Sequence, residues 1–369
     1  MRKINTMKKY NNTLKILLIR NLMVMVLFMA VNIVCSVPVF GAQNVTVVID
    51  PGHGGPDTDE ANLGACYNGI REKDINLVTA LELKRELEKY KNITVYITRD
   101  KDKQLSLKER IDFAKKMSAD VVVSVHHNAS ANHLFYGSEI FVPSKGEGYC
   151  TGYGLATCIM KNWVSDGSAD KGIKTRIGKN GDYYGIIRHG ASVGIPVIIL
   201  EHGYIDNYHD VDRFNDAKDC QRMGELDARG IASYYGLKKN SAKNKIYPTV
   251  KVKKPSSVVK DDITGPVNAK LVVDYYNPST GEVKYTLSAS EPESRIMYYG
   301  AGIITTTSET GMTTPLLTDV YLWGEGKSVK GSLHVPSGYA GPIYAICYNN
   351  YNVESNMATA NVKGQIGKK

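Results

Sequence analysis

The sequence has few cysteines and no CxxC pair. Six cysteines are scattered along 369 residues, and five of them follow residue 42. An odd number at irregular spacing argues against the disulfide framework that stabilises many small secreted domains. We expect buried or free thiols, with a pairing of Cys150 and Cys158 as the alternative. Hydrophobic residues make up 43% of the chain, which is enough for an ordinary core.

The chain also lacks a dense basic patch interleaved with aromatic residues. Its formal net charge is +9, but six lysines and arginines fall within residues 1–42, where no acidic residue occurs. The remaining residues therefore carry only +3, which is mild for their length. This distribution excludes nucleic acid as an expected partner.

No apolar run in the sequence is long enough for an easy membrane crossing. The longest, Leu22–Val34, follows a basic segment and precedes the small residues Gly41 and Ala42. This order is typical of a secretory signal peptide, and the run is short for a spanning helix. We expect residues 1–42 to be a cleaved signal peptide, with an uncleaved membrane anchor as the alternative. Both place the rest of the chain outside the cytoplasm.

Short β-rich runs alternate with helical patterns in residues 43–237. The runs are continuously apolar or β-branched, as expected for strands buried on both faces. The predicted strands are Val45–Ile49, Ile93–Thr98, Val121–Val125 and Pro196–Leu200. The predicted helices are Ile75–Tyr90 with Asp74 as N-cap, a helix opened by the capping box Ser106–Glu109 and ending near Met117, and helical pattern within Asp210–Tyr235. The alternation predicts an α/β domain with a mostly parallel twisted sheet flanked by helices.

The composition and the residue pattern change twice after this domain. Residues 238–265 hold eight lysines and two prolines without helical periodicity, which predicts an extended linker. Residues 266–369 alternate turns with short strands and contain ten of the 24 tyrosines. They predict a small all-β, sandwich-like C-terminal domain. The predicted strands are Leu271–Tyr276, Glu282–Ala289, Ser294–Ile304, Val320–Trp323, Lys330–Val335 and Pro342–Tyr348.

Two predicted strands of the α/β domain end at histidines. The stretch VVIDPGHGG carries His53 just past the first strand, and VVVSVHHN carries His126 at the end of another. Open α/β sheets build their ligand sites at the carboxyl ends of strands. Glu72 precedes the first helix at the same edge, and two histidines with one glutamate form a known catalytic zinc set. Glu201, at the end of a later strand, is placed to act as a general base.

These motifs resemble the zinc-dependent N-acetylmuramoyl-L-alanine amidases of bacterial cell walls, of the amidase-3 type. The resemblance covers about Val45 to Leu237. It rests on four motifs in order: DPGHGG at 50–55, a glutamate flanked by basic residues at 72, S-x-H-x-N at 124–128, and E-x-G-Y-I-x-N at 201–207. The long inhibitory helix of some relatives, after the second histidine, is not evident in the sequence.

The resemblance implies a reaction and a set of residues. His53, Glu72 and His126 would bind one catalytic Zn²⁺, and Glu201 would be catalytic. The substrate would be peptidoglycan, cleaved by a zinc-activated water between N-acetylmuramic acid and L-alanine. The protein would then be secreted or held at the cell wall. It would act, as a monomer, in wall remodelling, cell separation, sporulation or autolysis.

Several alternatives remain beside this interpretation. Asp57 or Glu60 could replace Glu72 as the ligand, although the helix-start position favours Glu72. The chain could be a zinc peptidase acting on the stem peptide, or a wall-binding protein with a degenerate site. The GASVG stretch at 190–194 matches a serine nucleophile elbow, but a strand follows it where the elbow requires a helix.

The remaining polar residues near the predicted edge are candidates for substrate binding. They are Asn128, His127, His189 and His202. In the C-terminal domain, Trp323 and the tyrosines could contact a glycan or another wall polymer. Core and cross-strand packing is the simpler interpretation of those aromatic residues.

Overall fold

The computed structural model describes residues 44–240, 263–306, 313–316 and 320–362. The predicted signal peptide and most of the predicted linker lie outside these ranges. Within them, no helix combines the length and apolar character that a membrane crossing requires.

Residues 44–240 form the predicted α/β fold. The strands are β1 (Val45–Pro51), β2 (Cys66–Tyr67), β3 (Ile70–Arg71), β4 (Ile93–Ile97), β5 (Val121–Asn128), β6 (Ser138–Phe141), β7 (Asp170–Lys174), β8 (Ile177–Gly178), β9 (Gly181–Asp182) and β10 (Val197–Tyr204). The helices are α1 (Glu60–Leu63), α2 (Glu72–Leu87), α3 (Leu107–Lys116), α4 (Gly146–Ser165), α5 (Gly185–Ser192), α6 (Tyr208–Val211) and α7 (Ala217–Tyr235).

The central sheet has six strands in the order β4-β1-β5-β10-β6-β7. All neighbouring strands in it are parallel except β10 and β6. One face packs on α2, α4 and α7, and the other packs on α3 and α5. The apolar strand residues are buried on both faces, as their continuous runs predicted. The carboxyl ends of β1, β5 and β10 consequently meet at one edge.

Local sequence signals predicted the start of one helix correctly and the start of another incorrectly. Helix α3 begins with the predicted capping box, because Ser106 and Glu109 bond each other's backbone. The N-cap assignment of Asp74 was wrong. Helix α2 begins at Glu72, Arg71 is its N-cap, and Asp74 lies in the first turn, where it accepts a hydrogen bond from Arg71 at 2.6 Å.

The described part of the C-terminal region forms two antiparallel sheets. Its strands are β11 (Val267–Tyr276), β12 (Glu282–Ser290), β13 (Ile296–Thr306), β14 (Thr313–Leu316), β15 (Tyr321–Leu322), β16 (Ser328–His334), β17 (Pro342–Asn349) and β18 (Ala358–Asn361). One sheet has the order β11-β12-β16, and the other contains β13, β14, β15, β17 and β18. Both contribute to one core that includes Leu287, Trp323 and Ile343. Trp323 is thus 4% exposed, which supports packing over glycan contact for this residue.

Candidate active site

The chain makes a tight turn just after β1 and presents His53 at the strand-end edge. His53 has a φ of 60°, which is uncommon for a residue with a side chain, and Gly54 and Gly55 follow at 107° and 122°. Its Nδ1 lies 2.8 Å from the carbonyl oxygen of Ala61. If Nδ1 donates to this carbonyl, Nε2 is left as a lone-pair donor that faces the edge.

Gly52 allows the two sheet histidines to approach each other. A Cβ at this position would lie 2.1 Å from Cε1 of His126, so no larger residue fits there without displacing the ring. The rings of His53 and His126 consequently meet edge to face, with centroids 5.1 Å apart. The bare glycine beside the strand end is thus a requirement of the site.

Glu72 lies between the two imidazoles. Its Oε2 is 3.3 Å from Nε2 of His53, and its Oε1 is 2.9 Å from Nδ1 of His126. The potential ligand atoms of the three residues all lie within 4.8 Å of one another. The histidine side chains are 27% and 20% exposed, so the cluster is open to solvent on one side.

The Glu72 carboxylate is held by further donors. The amides of Ala65 and His127 donate to it at 2.8 and 3.2 Å, and Asn76 Nδ2 donates at 3.2 Å. Burial raises its pKa, but the bonds with His126 and His53 outweigh burial and keep the pKa well below its usual range. The carboxylate is therefore charged and fixed in orientation at neutral pH.

The turn that carries His53 is held by two buried arginines that sequence reasoning missed. Arg110 donates to Asp50 at 2.7 Å and to the carbonyls of Pro51 and His53 at 2.8 Å. Arg99 donates to the carbonyls of Pro51 and Gly52 at 3.0 and 2.8 Å. Because both arginines are distant in sequence from the turn, local patterns gave no signal for them.

Glu201 ends the apolar part of β10 beside the cluster. It is the register partner of His126 on the neighbouring parallel strand β5. Its Oε2 is buried without a hydrogen-bond partner among the described residues. Burial and the nearby charges of Glu72 and Glu139 raise its pKa well above the ordinary value. An unsatisfied carboxylate oxygen next to a potential metal site is positioned to accept a proton from water.

The four candidate substrate-binding residues are placed differently. His127 and His202 are 1% and 0% exposed and stack on each other behind the cluster, with ring centroids 4.9 Å apart. Nε2 of His202 lies 2.9 Å from Oδ2 of Asp227, and its Nδ1 lies 3.0 Å from the carbonyl oxygen of His126. This placement favours support of the strand, and direct contact with substrate, for which both were candidates, stays a prediction.

Asn128 and His189 lie nearer the surface. Asn128 follows His126 on the same face of β5 and donates to Glu139 at 2.7 Å. His189 is exposed in the last turn of α5. Asn128 therefore remains a candidate next to the cluster, and His189 lies on a neighbouring helix.

The competing site residues are not arranged for catalysis. Asp57 is exposed and pairs with Arg71 and Lys73. Ser192 ends a helix and precedes β10, which is the reverse of the strand-to-helix order of a nucleophile elbow. Its Oγ donates to its own helix, at the carbonyl of His189.

An open groove lies along the His53 side of the cluster. It has a volume of about 590 Å³ and is lined by His53, His126, Asn62, Ser106, Arg110 and Ile186, among others. The volume is within the range of small-ligand sites, and its walls mix polar and apolar groups.

Residues 47–233 match the family model described as N-acetylmuramoyl-L-alanine amidase. The chain belongs to this family. The matched region contains the whole histidine–glutamate cluster and Glu201, and it ends before the C-terminal β domain.

Individual relatives are similar to about half of this chain. The amidase CwlM of Bacillus licheniformis is 31% identical over 54% of this chain and 72% of its own length. Protein YqiI of Bacillus subtilis is 33% identical over 52% of this chain and 86% of its own. The solved structure of Cwp6 from Clostridium difficile is 36% identical, with a TM-score of 0.47, over 53% of this chain and 30% of its own.

Proposed function

We propose that the chain hydrolyses the amide bond between N-acetylmuramic acid and L-alanine in peptidoglycan, with one Zn²⁺ held by His53, Glu72 and His126. The observation that carries this proposal is the convergence of three ligand atoms within 4.8 Å at this edge of the sheet, with Glu201 beside them. Family membership supports the reaction, and the geometry of the cluster supports this choice of residues.

The donor set fits zinc. Two imidazoles and one carboxylate leave a fourth coordination position, which is the composition of catalytic rather than structural zinc sites. The carboxylate is already charged, and the exposed sides of the two histidines allow a metal and a substrate to approach. When bound, zinc lowers the pKa of water and polarises a carbonyl group.

Glu201 performs the proton transfers in this proposal. It accepts a proton from the attacking water as the water oxygen bonds to the lactyl carbonyl carbon. It then donates that proton to the L-alanine nitrogen as the C–N bond breaks. The products are a muramoyl carboxylate and a peptide with a free amino terminus. The groove lined by His53 and His126 offers space for the acyl side of the bond next to the cluster.

Mass spectrometry of digested peptidoglycan tests this function. Purified wall is incubated with the protein alone, with a chelator, and with chelator followed by zinc. New L-alanine amino termini that disappear with chelator and return with zinc are expected. New termini at another residue would establish a peptidase instead. Binding to the wall without cleavage would support a degenerate site.

A further inference from the structure

The C-terminal β domain packs directly on the α/β domain near the active site. A buried cluster spans the two, with Tyr136 and Tyr204 from the α/β domain and Tyr298 and Ile346 from the β domain. The Tyr298 hydroxyl donates to the carbonyl of Tyr136. The two domains thus share a core rather than touching only through exposed side chains.

Buried lysines of β7 strengthen this contact. Lys171 donates to Asn352 at 2.7 Å and to the Tyr298 hydroxyl at 3.1 Å. Lys174 donates to Glu139 and to the carbonyl of Asn350. Asn352 in turn donates to the Tyr204 hydroxyl at 3.2 Å. The segment 350–352 is therefore held against β7 and the end of β10, the strand that carries Glu201.

A second cavity opens between the domains at this contact. It has a volume of about 300 Å³, at the lower end of the range for small-ligand sites. Its walls from the α/β domain include Asn128, Glu139, Arg176 and Tyr184, and the segment Tyr351–Val353 closes it from the β domain. We call it the interdomain pocket.

The interdomain pocket lies on the Glu201 side of the metal cluster. Along the sheet edge, His53 in the turn after β1 is followed by His126 on β5, Glu201 on β10 and Glu139 on β6. Glu201 and Glu139 are register partners. The groove beside His53 and the interdomain pocket consequently flank the cluster from opposite sides.

This order indicates which cavity holds which side of the scissile bond. Glu201 delivers a proton to the leaving nitrogen, so the peptide side of the substrate must lie near Glu201. The interdomain pocket lies on that side, next to Glu139, which leaves the larger groove for the muramoyl side.

The charges of the pocket indicate which peptide it accepts. Glu139 and Lys174 form a buried ion pair and neutralise each other. Arg176 is an exposed cation whose guanidinium lies 3.8 Å from the ring centroid of Tyr183. An exposed arginine fixed by an aromatic ring is suited to pair with a carboxylate.

We propose that the interdomain pocket binds the leaving peptide of the substrate, with Arg176 pairing with a carboxylate of that peptide and Tyr351–Val353 forming one wall. The proposal rests on the proposed amidase function. It gives the C-terminal domain a part in substrate selection, through a wall that the family region at 47–233 does not contain.

Paired ligands test the pocket. One is a muramoyl peptide whose residue after L-alanine carries a free carboxylate, and the other is its carboxamide twin. The wild type is expected to prefer the carboxylate form about tenfold in KM, and Arg176→Gln to reduce this ratio to about one. Tyr351→Ala should raise KM for both forms. Lys179→Gln, which removes an exposed cation outside the pocket, should keep the wild-type ratio.

Calorimetry on the full chain measures binding of the released peptides. It gives the preference for the carboxylate over the carboxamide form without turnover. A wild type that cleaves nothing would overturn the amidase proposal, and the binding ratio would still decide the pocket. Equal binding of the two peptides by the wild type, or a preference that Arg176→Gln leaves intact, would overturn the pocket proposal.

Discussion

Glu201 lies directly opposite His126 across the parallel strands β10 and β5. Register partners on one sheet face have neighbouring side chains, so a potential base and a potential metal ligand meet without any loop being required to position them. Since both residues lie within their strands, near the carboxyl ends, the sheet itself sets their separation. Because one residue is a potential base and the other a potential ligand, substitutions at the two positions should affect activity and metal binding differently.

Glu201→Gln is expected to remove activity and keep the metal. The amide preserves size but cannot accept the proton, and general-base catalysis contributes about 10²- to 10⁴-fold. Activity on peptidoglycan and zinc content by elemental analysis should therefore separate. Glu147→Gln, an exposed carboxylate at the start of α4, is the control that retains both. Loss of zinc in Glu201→Gln would show that Glu201 is a ligand instead.

His126→Ala is expected to lose the metal itself. It removes one of three protein donors and also one of the hydrogen bonds that orient Glu72. Zinc per chain, measured after dialysis, should fall from about one to near zero. His189→Ala removes an exposed histidine and should retain zinc. If both variants bound zinc equally, the cluster would not be the metal site.

The sequence indicated which side chains meet at the sheet edge better than it indicated the residues that support them. Strands that lead to His53, His126 and Glu201 could be found because buried parallel strands are continuous apolar runs and their carboxyl ends share an edge. Helix α3 was found through its capping box. Helix α4 was missed, since its four glycines lower helix propensity, yet Gly152 and Gly154 let Ile198 and Tyr234 pack closely.

The packing of the C-terminal domain was also beyond sequence reasoning. It depends on Lys171 and Lys174, which are 0% and 2% exposed. From sequence alone, lysines are expected in solvent. Such burial follows from partners more than 100 residues away, including Tyr298 and Asn352. No local periodicity encodes it.

Arg110→Met is expected to destabilise the fold and the turn at His53. Asp50 is 1% exposed and would keep only the hydroxyls of Thr98 and Ser124 as donors. Leaving a buried charge without its partner typically costs about 3–5 kcal/mol. Thermal unfolding of the zinc-free protein should show a large drop in Tm.

Lys108→Met provides the matched control on the same helix. Lys108 pairs with Asp112 in solvent, and such exposed pairs contribute about 1 kcal/mol or less. A double variant, Asp50→Asn with Arg110→Met, should recover part of the loss because the unpaired charge is gone. Equal Tm values for the two single variants would contradict the role assigned to Arg110.

Lys171→Met is expected to change the pH dependence of stability. Burial and, less strongly, the charge of Lys174 lower the pKa of Lys171 to about 7, against the opposing charges of Glu139 and Asp210. Because the pKa is lower in the folded state than in the unfolded state, the unfolded chain binds more protons between about pH 7 and 10. The free energy of unfolding of the wild type therefore rises with pH in this window. This group contributes up to about 1.4 kcal/mol of that rise per pH unit. The cost of charging Lys171 is fully present below pH 7.

Methionine keeps the length of the side chain and removes the titration. The Tm of Lys171→Met relative to wild type should be highest at pH 6 and should fall steadily towards pH 9, whatever its absolute sign. The comparison isolates this lysine, since the tyrosines and cysteines that titrate at higher pH are common to both proteins. Lys145→Met, at an exposed position before α4, should show a constant difference from wild type across the same range. A constant difference for Lys171→Met as well would show that Lys171 keeps an ordinary proton affinity in the domain contact.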